Sequence, residues 1–535
     1  MVPGASGIER RLLGHIGGIV RALVPPPSMR NWPSAIRDWA KVAPKPPAAL
    51  VDRFRAELNA PDDIFEWIYT RLVSGPNRRR LGTFFTPGPV VGHMLSRVGT
   101  TAPARVVDAG AGVGAFATAC AKRWPSSEVV AIDLNVVTLG LLAARTALND
   151  MPVSLVHADF LKWIAADRSD KPTVFLGNPP YTRHQGLPTK LKDGALKSTG
   201  GLVTSRLAGM STYFLGAMLA HAKPDDSICV LLPGNWVEAR YGLELRQHLW
   251  RGRRDLEITA FGTEEDVFPG TRVTATIAWI GPEASTRKRG AVIARRATLG
   301  AAQVVEVDSI ELDNSTSDPP SFGAILWPRE FSASEKTTRL GDIVTVRRGV
   351  ATGANDFFFL DDNQRSTLPA AASVRAVRRL RHVTSDVLDE DEHDRIGKDH
   401  TRWMLWLHNR SLLDESSVAS FIAEAPGGIR SRELLRRRGE EWFVVERCDA
   451  PTILISTSAR GALRAVHNAC AAIPSNSMYG IYLPENVDGF AFTLWWNSSA
   501  GQAAVLANAR HYASGLLKLE PSDVLEIRIP FPPPW

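Results

Sequence analysis

Short apolar runs alternate with helical patterns between about residues 104 and 282. The runs are bounded by turn formers or charged residues; they are Val129–Ile132, Val153–Val156, Thr173–Leu176 and Ile228–Leu232. Runs of this kind are typical of parallel strands that are buried on both faces. Ile258–Phe261 and Thr274–Ile280 are expected to be the last two strands. The alternation predicts an α/β fold, a doubly wound and mostly parallel sheet with helices on both faces.

The pattern changes on either side of this stretch. Residues 1–60 are rich in Pro and Arg with short helical stretches between, which indicates an accessory arm. Residues 283–335 are basic, then polar, without strong periodicity, and are expected to be a connector. Residues 336–535 mix short strands, turns and helices without the βαβ rhythm. We therefore expect one domain over 61–282 and a second, α+β domain over 336–535.

Composition narrows the class of protein only slightly. With 535 residues, 44% of them apolar and 22% charged, the chain is globular and long enough for two large domains. The net charge of +7 is compatible with a polyanionic partner but is weak evidence for one. The excess is uneven, as the runs Arg78–Arg80, Arg378–Arg379 and Arg436–Arg438 show.

Cysteine spacing argues against metal and disulfide sites, and hydropathy argues against membrane spans and a signal peptide. The four cysteines are far apart and form no CxxC pair, so neither a metal site nor a disulfide framework is predicted. No apolar run reaches about 18 residues, and the N-terminus lacks a signal-peptide pattern. A soluble, cytoplasmic protein without a membrane partner is expected.

A glycine-rich turn follows the strand that begins at Arg105. Asp108 precedes glycines at 110, 112 and 114, so the spacing is GxGxG rather than the dinucleotide fingerprint GxGxxG, and no Walker lysine is present. Glycines at alternate positions allow a sharp turn and close approach of a ligand. Asp133 ends the next strand, where an acidic side chain meets ribose hydroxyls in nucleoside-binding folds.

A third strand ends at Asp159-Phe160, a pair that can bind the amino group of an adenine and pack on its ring. The same pair is equally typical of a helix N-cap followed by a core aromatic residue. Upstream, Thr86-Pro87 precedes an apolar helical pattern and indicates a helix start with proline in the first turn.

Asn178-Pro179-Pro180-Tyr181 follows the apolar run that ends at Leu176, where open α/β sheets place their ligands. Two consecutive prolines continue neither a strand ladder nor a helix, so they make a stiff turn. Taken alone, the four residues are more often an ordinary strand exit. The following loop, roughly Thr182–Gly209, carries several lysines and is either a mobile solvated lid or a phosphate-contacting loop.

In this order the motifs resemble the N6-adenine DNA methyltransferases of the gamma, TaqI-like type, over roughly residues 60–535. The loop Val267-Phe268-Pro269 is similar to the family's segment with a base-stacking phenylalanine, and Leu340–Phe357 and Ser514–Leu519 are similar to parts of its target-recognition domain. The resemblance implies a Rossmann-like class I methyltransferase sheet with a C-terminal target-recognition domain. It also implies that double-stranded DNA is the substrate.

The resemblance assigns roles to the motif residues. Asn178 and the carbonyl of Pro179 would accept the two amino hydrogens of a flipped-out adenine, while Pro180 stiffens the turn. Tyr181 and Phe268 would sandwich the base. The residues that would hold S-adenosyl-L-methionine are Thr86, Asp108, Gly110, Gly112, Asp133, Asp159 and Phe160.

Other functions stay open at this point. An RNA guanine-N2 or protein glutamine-N5 methyltransferase shares the motif, and a catalytically inert DNA-specificity subunit is a further alternative. Cytosine-N4 enzymes usually carry Ser in place of Asn178, which argues against them. The family implies a restriction-modification or phage-defence context, with a cognate endonuclease or defence proteins as partners, and a monomer is expected. The sequence does not give the recognised DNA site.

Overall fold

The computed structural model describes residues 7–535 with gaps at 25, 58–84, 183, 263–266, 269–273, 317–318, 320–321, 327–336, 513–515 and 531. The run Arg78–Arg80 and residues Pro269, Ser514 and Gly515 therefore lie outside the described residues. The chain divides into two compact units, Met1–Pro328 and Arg329–Trp535. No helix among the described residues is long and apolar enough to cross a membrane.

The first unit is built on a nine-stranded sheet in the order β3-β2-β1-β4-β5-β7-β6-β8-β9. Its strands are β1 (Arg105–Ala109), β2 (Glu128–Asp133), β3 (Val153–His157), β4 (Thr173–Gly177), β5 (Ser227–Pro233), β6 (Arg254–Phe261), β7 (Ala275–Glu283), β8 (Val292–Leu299) and β9 (Val304–Leu312). The first five strands in this order are parallel, and β7 runs antiparallel between β5 and β6. The predicted mostly parallel sheet is confirmed.

Helices cover both faces of this sheet. They are α1 (Gly7–Leu23), α2 (Ser34–Val42), α3 (Ala48–Glu57), α4 (Gly88–Val98), α5 (Ala115–Arg123), α6 (Val136–Leu148), α7 (Phe160–Ala166), α8 (Thr189–Ser198), α9 (Met210–His221), α10 (Leu243–Arg251) and α11 (Phe322–Leu326). Successive residues of β1 enter opposite cores: Val106 packs in one apolar cluster and Val107 in the other. Burial on both faces explains why the strands read as unbroken apolar runs.

The stretch predicted as a connector, 283–335, contains two more strands of the sheet. In β8, Val292 and Ala294 are buried, and the strand pairs in parallel with β6. The expectation that the sheet ends at Thr274–Ile280 is therefore wrong. The alternation in β8 is hidden by Arg295 and Arg296, whose charges are satisfied by acidic partners on neighbouring strands.

The N-terminal helices are part of the first unit's core. Ile16, Val20 and Ile36 are buried in the same apolar cluster as Leu139 of α6. The ring of Trp39 lies over Gly140, where an added Cβ would come within 2.3 Å of it. Residues 7–57 thus form a packed helical layer rather than the accessory arm expected from their composition, because their apolar positions at helical spacing are covered by α6.

The second unit is α+β, as predicted, and its strands pair mostly antiparallel. Its strands are β10 (Thr337–Arg339), β11 (Thr345–Arg348), β12 (Phe359–Leu360), β13 (Ser373–Val377), β14 (Trp403–Leu405), β15 (Ile453–Ser456), β16 (Ser458–Arg460), β17 (Ala465–His467), β18 (Ile473–Pro474), β19 (Met478–Tyr482), β20 (Arg510–Tyr512), β21 (Leu516–Lys518) and β22 (Arg528–Pro530). They form small sheets of two to four strands, including β11-β19-β15-β17 and β12-β14-β13-β18.

Short helices join these sheets. They are α12 (Asn355–Phe358), α13 (Asp362–Ser366), α14 (Glu390–Gly397), α15 (Ser416–Ala423), α16 (Glu433–Arg438), α17 (Gly489–Asn497), α18 (Ser499–Leu506) and α19 (Pro521–Leu525). The unit has its own apolar cores, one around Phe358 and Trp442 and another around Phe492 and Trp496.

Candidate active site at the carboxyl ends of the strands

The glycine turn lies between β1 and α5, and its backbone is fixed against β2. The amides of Gly110 and Ala111 both donate to the carbonyl of Ile132, each at 2.9 Å. Gly110, Gly112 and Gly114 have φ of 80°, 57° and 88°. Only glycine adopts these left-handed conformations at little cost in free energy. The GxGxG spacing of the sequence therefore matches the three positions at which the turn requires glycine.

One of these glycines also lacks room for a side chain, and another faces open space. A Cβ at Gly114 would collide with Leu142 of α6, and one at Gly110 would touch Pro180 at 3.6 Å. A Cβ at Gly112 would meet nothing within 4 Å among the described residues. The backbone at Gly112 is therefore open to a ligand.

Asp108 is fully buried at the end of β1. Its Oδ2 accepts a hydrogen bond from the amide of Ala117 at 2.9 Å, while its Oδ1 has no hydrogen-bond partner among the described residues. Burial raises the pKa of this carboxyl to about 7, against the lowering effect of the Ala117 amide, and the nearby Asp133 raises it further. A buried carboxylate oxygen of this kind suits a cationic or hydrogen-bond-donating ligand group.

Asp133 joins the tip of β2 to the glycine turn. Its Oδ2 accepts from the amide of Gly112 and its Oδ1 from the amide of Asn135, both at 2.7 Å. Burial raises the pKa of Asp133, and these two amide hydrogen bonds oppose the rise. A carboxylate oxygen has the capacity to accept more than one hydrogen bond. The side chain of Asp133 can therefore still bind ligand hydroxyls.

Asp159 and Phe160 have the arrangement of a helix cap followed by a core residue. Asp159 caps α7, with its Oδ1 accepting from the amide of Leu161 at 3.1 Å. The ring of Phe160 is 3% exposed and stacks on Phe214 at a centroid distance of 4.8 Å. The helix cap explains the position of Asp159 and the ring packing that of Phe160, so neither requires a ligand. The pair nevertheless lies just after the end of β3, beside the tip of β2.

The segment Asn178–Tyr181 lies directly against the glycine turn. Asn178 donates from Nδ2 to the hydroxyl of Thr86, which is buried, at 3.1 Å. The preceding Gly177 has φ 145°, and a Cβ there would lie 3.1 Å from Oδ1 of Asp108. With Pro180 against Gly110, the structure brings the glycine turn, the double-proline turn and Thr86 together.

Tyr181 and Phe268 touch each other. Their ring centroids are 5.4 Å apart and their planes are almost perpendicular at 89°. Both rings are buried, at 8% and 3% exposure, and burial raises the pKa of the Tyr181 phenol well above its ordinary value. The two rings predicted to sandwich a base thus form an edge-to-face pair with no slot between them.

Two features of the site are not evident from the sequence. One is the hydrogen bond from Asn178 to Thr86. The other is an ion network that anchors α4, the helix following Thr86, in which Arg97 pairs with Glu257 of β6 at 3.3 Å and with Glu306 of β9. Glu257 and Glu306 also bind Arg295 of β8, at 3.0 and 3.1 Å. The two strands missed in the sequence thus support the helix that follows Thr86. The alternating charges Glu306 and Asp308 are the sequence signal for β9.

Three family models match adjoining parts of the chain. Residues 92–200 match the methyltransferase small domain, residues 156–268 match the Eco57I restriction-modification methylase, and residues 324–533 match the C-terminal domain of the type II methyltransferase M.Eco57I. The first two matches include the glycine turn and the Asn178–Tyr181 segment between them. The fold and these matches are those of a methyltransferase.

Curated relatives and solved structures extend the likeness over most of the chain. The type II methyltransferase M.XamI of Xanthomonas campestris pv. amaranthicola is 26% identical over 469 residues, 85% of this chain and 86% of its own. M.AccI of Acinetobacter calcoaceticus is 19% identical over 499 residues, with the same two coverages. The type IIL restriction-modification enzyme MmeI, solved in complex with DNA, shares the fold with a TM-score of 0.61 at 14% identity, over 96% of this chain and 79% of that one.

These matches agree on one class, the Eco57I-like type II DNA methyltransferases of restriction-modification systems. A methyltransferase of this class implies S-adenosyl-L-methionine as the methyl donor.

Proposed function

We propose that this chain transfers a methyl group to N6 of an adenine extruded from duplex DNA, with the gamma order of motifs. One observation carries the proposal: Asn178-Pro179-Pro180-Tyr181 packs on the glycine turn, with Pro180 against Gly110 and Gly177 against Asp108. An amide acceptor and a rigid carbonyl are thereby held beside the turn that would bind the methyl donor.

The residues present fit S-adenosyl-L-methionine. When bound, this cofactor supplies an electrophilic methyl group. Oδ1 of Asp108 would pair with its ammonium, the open backbone at Gly112 would allow close approach, and the carboxylate of Asp133 would accept from its ribose hydroxyls. Asp159 and Phe160 would border the adenine side of this pocket, and Thr86 closes it near Asn178.

Asn178 and Pro179 would act on the adenine amino group. Its nitrogen lone pair is delocalised into the ring, so the group is a poor nucleophile in its planar form. With Nδ2 of Asn178 donating to Thr86, its Oδ1 would accept one amino hydrogen, and the Pro179 carbonyl would accept the other. Two acceptors placed in this way favour a pyramidal nitrogen and stabilise the transition state more than the ground state. The methylated nitrogen then loses a proton to water.

Tyr181 and Phe268 would hold the base only after their rings separate. A sandwiched base needs about 7 Å between ring planes, twice the stacking distance in nucleic acids, whereas the centroids lie 5.4 Å apart. Breaking the edge-to-face pair costs about 0.5–1.5 kcal/mol, while stacking a base contributes roughly 1–3 kcal/mol per ring contact. Replacing the contact between the two rings by a stack of each ring on the base therefore favours the bound base. The closed ring pair can serve as the resting state of the pocket.

The second unit would select the DNA site, as a target-recognition domain does. We propose that the chain works as a monomer in a restriction-modification or phage-defence setting, with a cognate endonuclease or defence protein as partner. The extended likeness to type II methyltransferases, including the C-terminal match over 324–533, favours DNA over the RNA guanine and protein glutamine alternatives.

Methylation of a random-sequence DNA pool, followed by mapping of modified bases, tests the proposal. We expect N6-methyladenine within one short sequence. Asn178→Ala should abolish transfer, because one of two amino acceptors is lost, while cofactor affinity by calorimetry stays close to wild type. Turnover by Asn178→Ala at the wild-type rate, or methyl groups found only on RNA guanine or protein glutamine, would contradict the assignment.

A further inference from the structure

The loop after the catalytic segment concentrates the positive charge of the chain. Residues 182–209 hold five basic side chains and one acidic one, a net charge of +4 in a chain whose total is +7. This charge follows directly on Tyr181, the residue proposed to hold the base. Its location therefore matters more than the modest charge of the whole protein.

The loop is a packed segment and not the mobile lid considered from its composition. Its ends are joined by a hydrogen bond from the amide of Met210 to the carbonyl of Thr182, at 3.0 Å. Between them, Ala195, Val203 and Ala208 are buried in the core beside α9. The side chains on the outer face are therefore presented from a fixed helix, α8.

That outer face carries unpaired cations. Lys190, Gly194 and Lys197 recur at the spacing of one helix face and are exposed, opposite the buried Ala195. Neither lysine forms an ion pair with any described residue, whereas Arg206 of the same loop is bound to Asp193 at 2.6 Å. The two lysines are separated by about 10 Å along the helix axis. Gly194 leaves the surface between them flat.

Most arginines in the clusters of the second unit differ in this respect. Arg378 pairs with Asp356, and Arg436 and Arg437 both pair with Glu433. Arg438 donates to backbone carbonyls of its own unit. These side chains are largely committed to internal partners, while Lys190 and Lys197 are available to an external anion.

We propose that the face of α8 formed by Lys190, Gly194 and Lys197 is a docking surface for the DNA phosphodiester backbone beside the extruded base. The inference rests on the proposed function, since it requires a DNA strand that enters at Tyr181. Each lysine would neutralise one phosphate and release its counterions, which positions the strand without reading its sequence.

The test compares two double variants, Lys190→Gln with Lys197→Gln and, as the matched control, Lys41→Gln with Lys122→Gln. The control lysines are also exposed on helices and form no ion pair among the described residues. Duplex affinity is measured between about 50 and 200 mM salt. For the first variant we expect the slope of log affinity against log salt to be less steep by about 1.8, because each lost phosphate contact removes about 0.9.

The loss of affinity should be the same for duplexes of any sequence. A slope change equal to that of the control, or one seen with single-stranded RNA and not with duplex DNA, would overturn the proposal. The two proposals fail separately: a wild-type enzyme that methylates no DNA refutes the proposed function, while the slope comparison decides whether α8 contacts the backbone. Absence of any duplex binding by wild type refutes both.

Discussion

Among single residues, Thr86 is the one whose position changes its expected role. Its resemblance to a family motif implied a contact with the cofactor, yet its hydroxyl accepts from the amide of Asn178 at 3.1 Å. A hydrogen bond of this kind fixes which end of the amide faces the target. We therefore expect Thr86 to be a positioning residue for Asn178.

Replacing Thr86 by valine keeps the shape and removes the hydroxyl. We expect kcat to fall about fivefold, since a net hydrogen bond contributes on the order of 1 kcal/mol, with the Kd of the cofactor unchanged. Thr86→Ser should restore kcat. If Thr86→Val instead weakens cofactor binding and leaves kcat intact, the residue acts on the cofactor as the motif implied.

The raised pKa of Asp108 predicts that cofactor binding depends on pH. Its pKa is raised by burial to about 7, above the ordinary value of 3.8, so the uncharged form prevails below that pH in the cofactor-free protein. The stability contributed by the neutral carboxyl is complete below about pH 4 and is lost as the pH rises through about 7. The ammonium of a bound cofactor would favour the charged form of Asp108, because it stabilises the carboxylate.

Affinity for the cofactor should therefore increase about tenfold between about pH 6 and about pH 8, as titration calorimetry would show. Asp108→Asn has no such ionisation and should bind weakly with little dependence on pH. An equally steep pH profile in Asp108→Asn would place the titrating group elsewhere.

The sequence was sufficient to place the residues of this site at neighbouring strand ends, since parallel strands bring their carboxyl ends to one edge of the sheet. It was not sufficient for contacts that depend on side-chain packing. Thr86 and Asn178 are 92 positions apart, and nothing in either motif specifies that they meet. The direct contact of Tyr181 with Phe268 was likewise unforeseen, because the motif describes the rings with a base between them.

At the level of elements, the largest differences from the sequence prediction lie in the N-terminal helices and in the last two strands of the sheet. Proline and arginine obscured the apolar positions of α1–α3, and charges obscured the alternation of β8 and β9. In both places the polar residues are accommodated by partners distant in sequence, such as Glu257 for Arg295, 38 positions away. Local pattern does not reveal compensation of that kind.

The contact between α2 and α6 gives a test of the N-terminal layer. Gly140→Ala would normally stabilise a helix by up to about 1 kcal/mol, but the new Cβ would lie 2.3 Å from the Trp39 ring. Overpacking costs about 1–3 kcal/mol, so we expect a net decrease in the free energy of unfolding by urea denaturation. In a Trp39→Ala background the same change should no longer destabilise, and a persisting loss there would argue against the contact.

For the whole molecule, separate apolar cores predict separate responses to ligand. Every residue proposed to hold the cofactor lies in the first unit, Met1–Pro328. At 100 times its Kd the cofactor stabilises the state that binds it by about 2.7 kcal/mol. Scanning calorimetry should show a thermal transition of the first unit that moves upward by a few degrees, while that of Arg329–Trp535 stays in place. A common shift of both transitions would mean that the units unfold together.

The packing of α1–α3 on α6 also bears on which parts of this protein can be exchanged. The second unit completes its own cores, so under the proposed function we expect that its sequence can be exchanged, and a new target acquired, without loss of methyl transfer. Residues 7–57 have no such freedom, because Ile16, Val20 and Ile36 fill a core that belongs to the catalytic sheet. We therefore expect the second unit to be the replaceable module, and the N-terminal helices to remain with the first unit in any exchange.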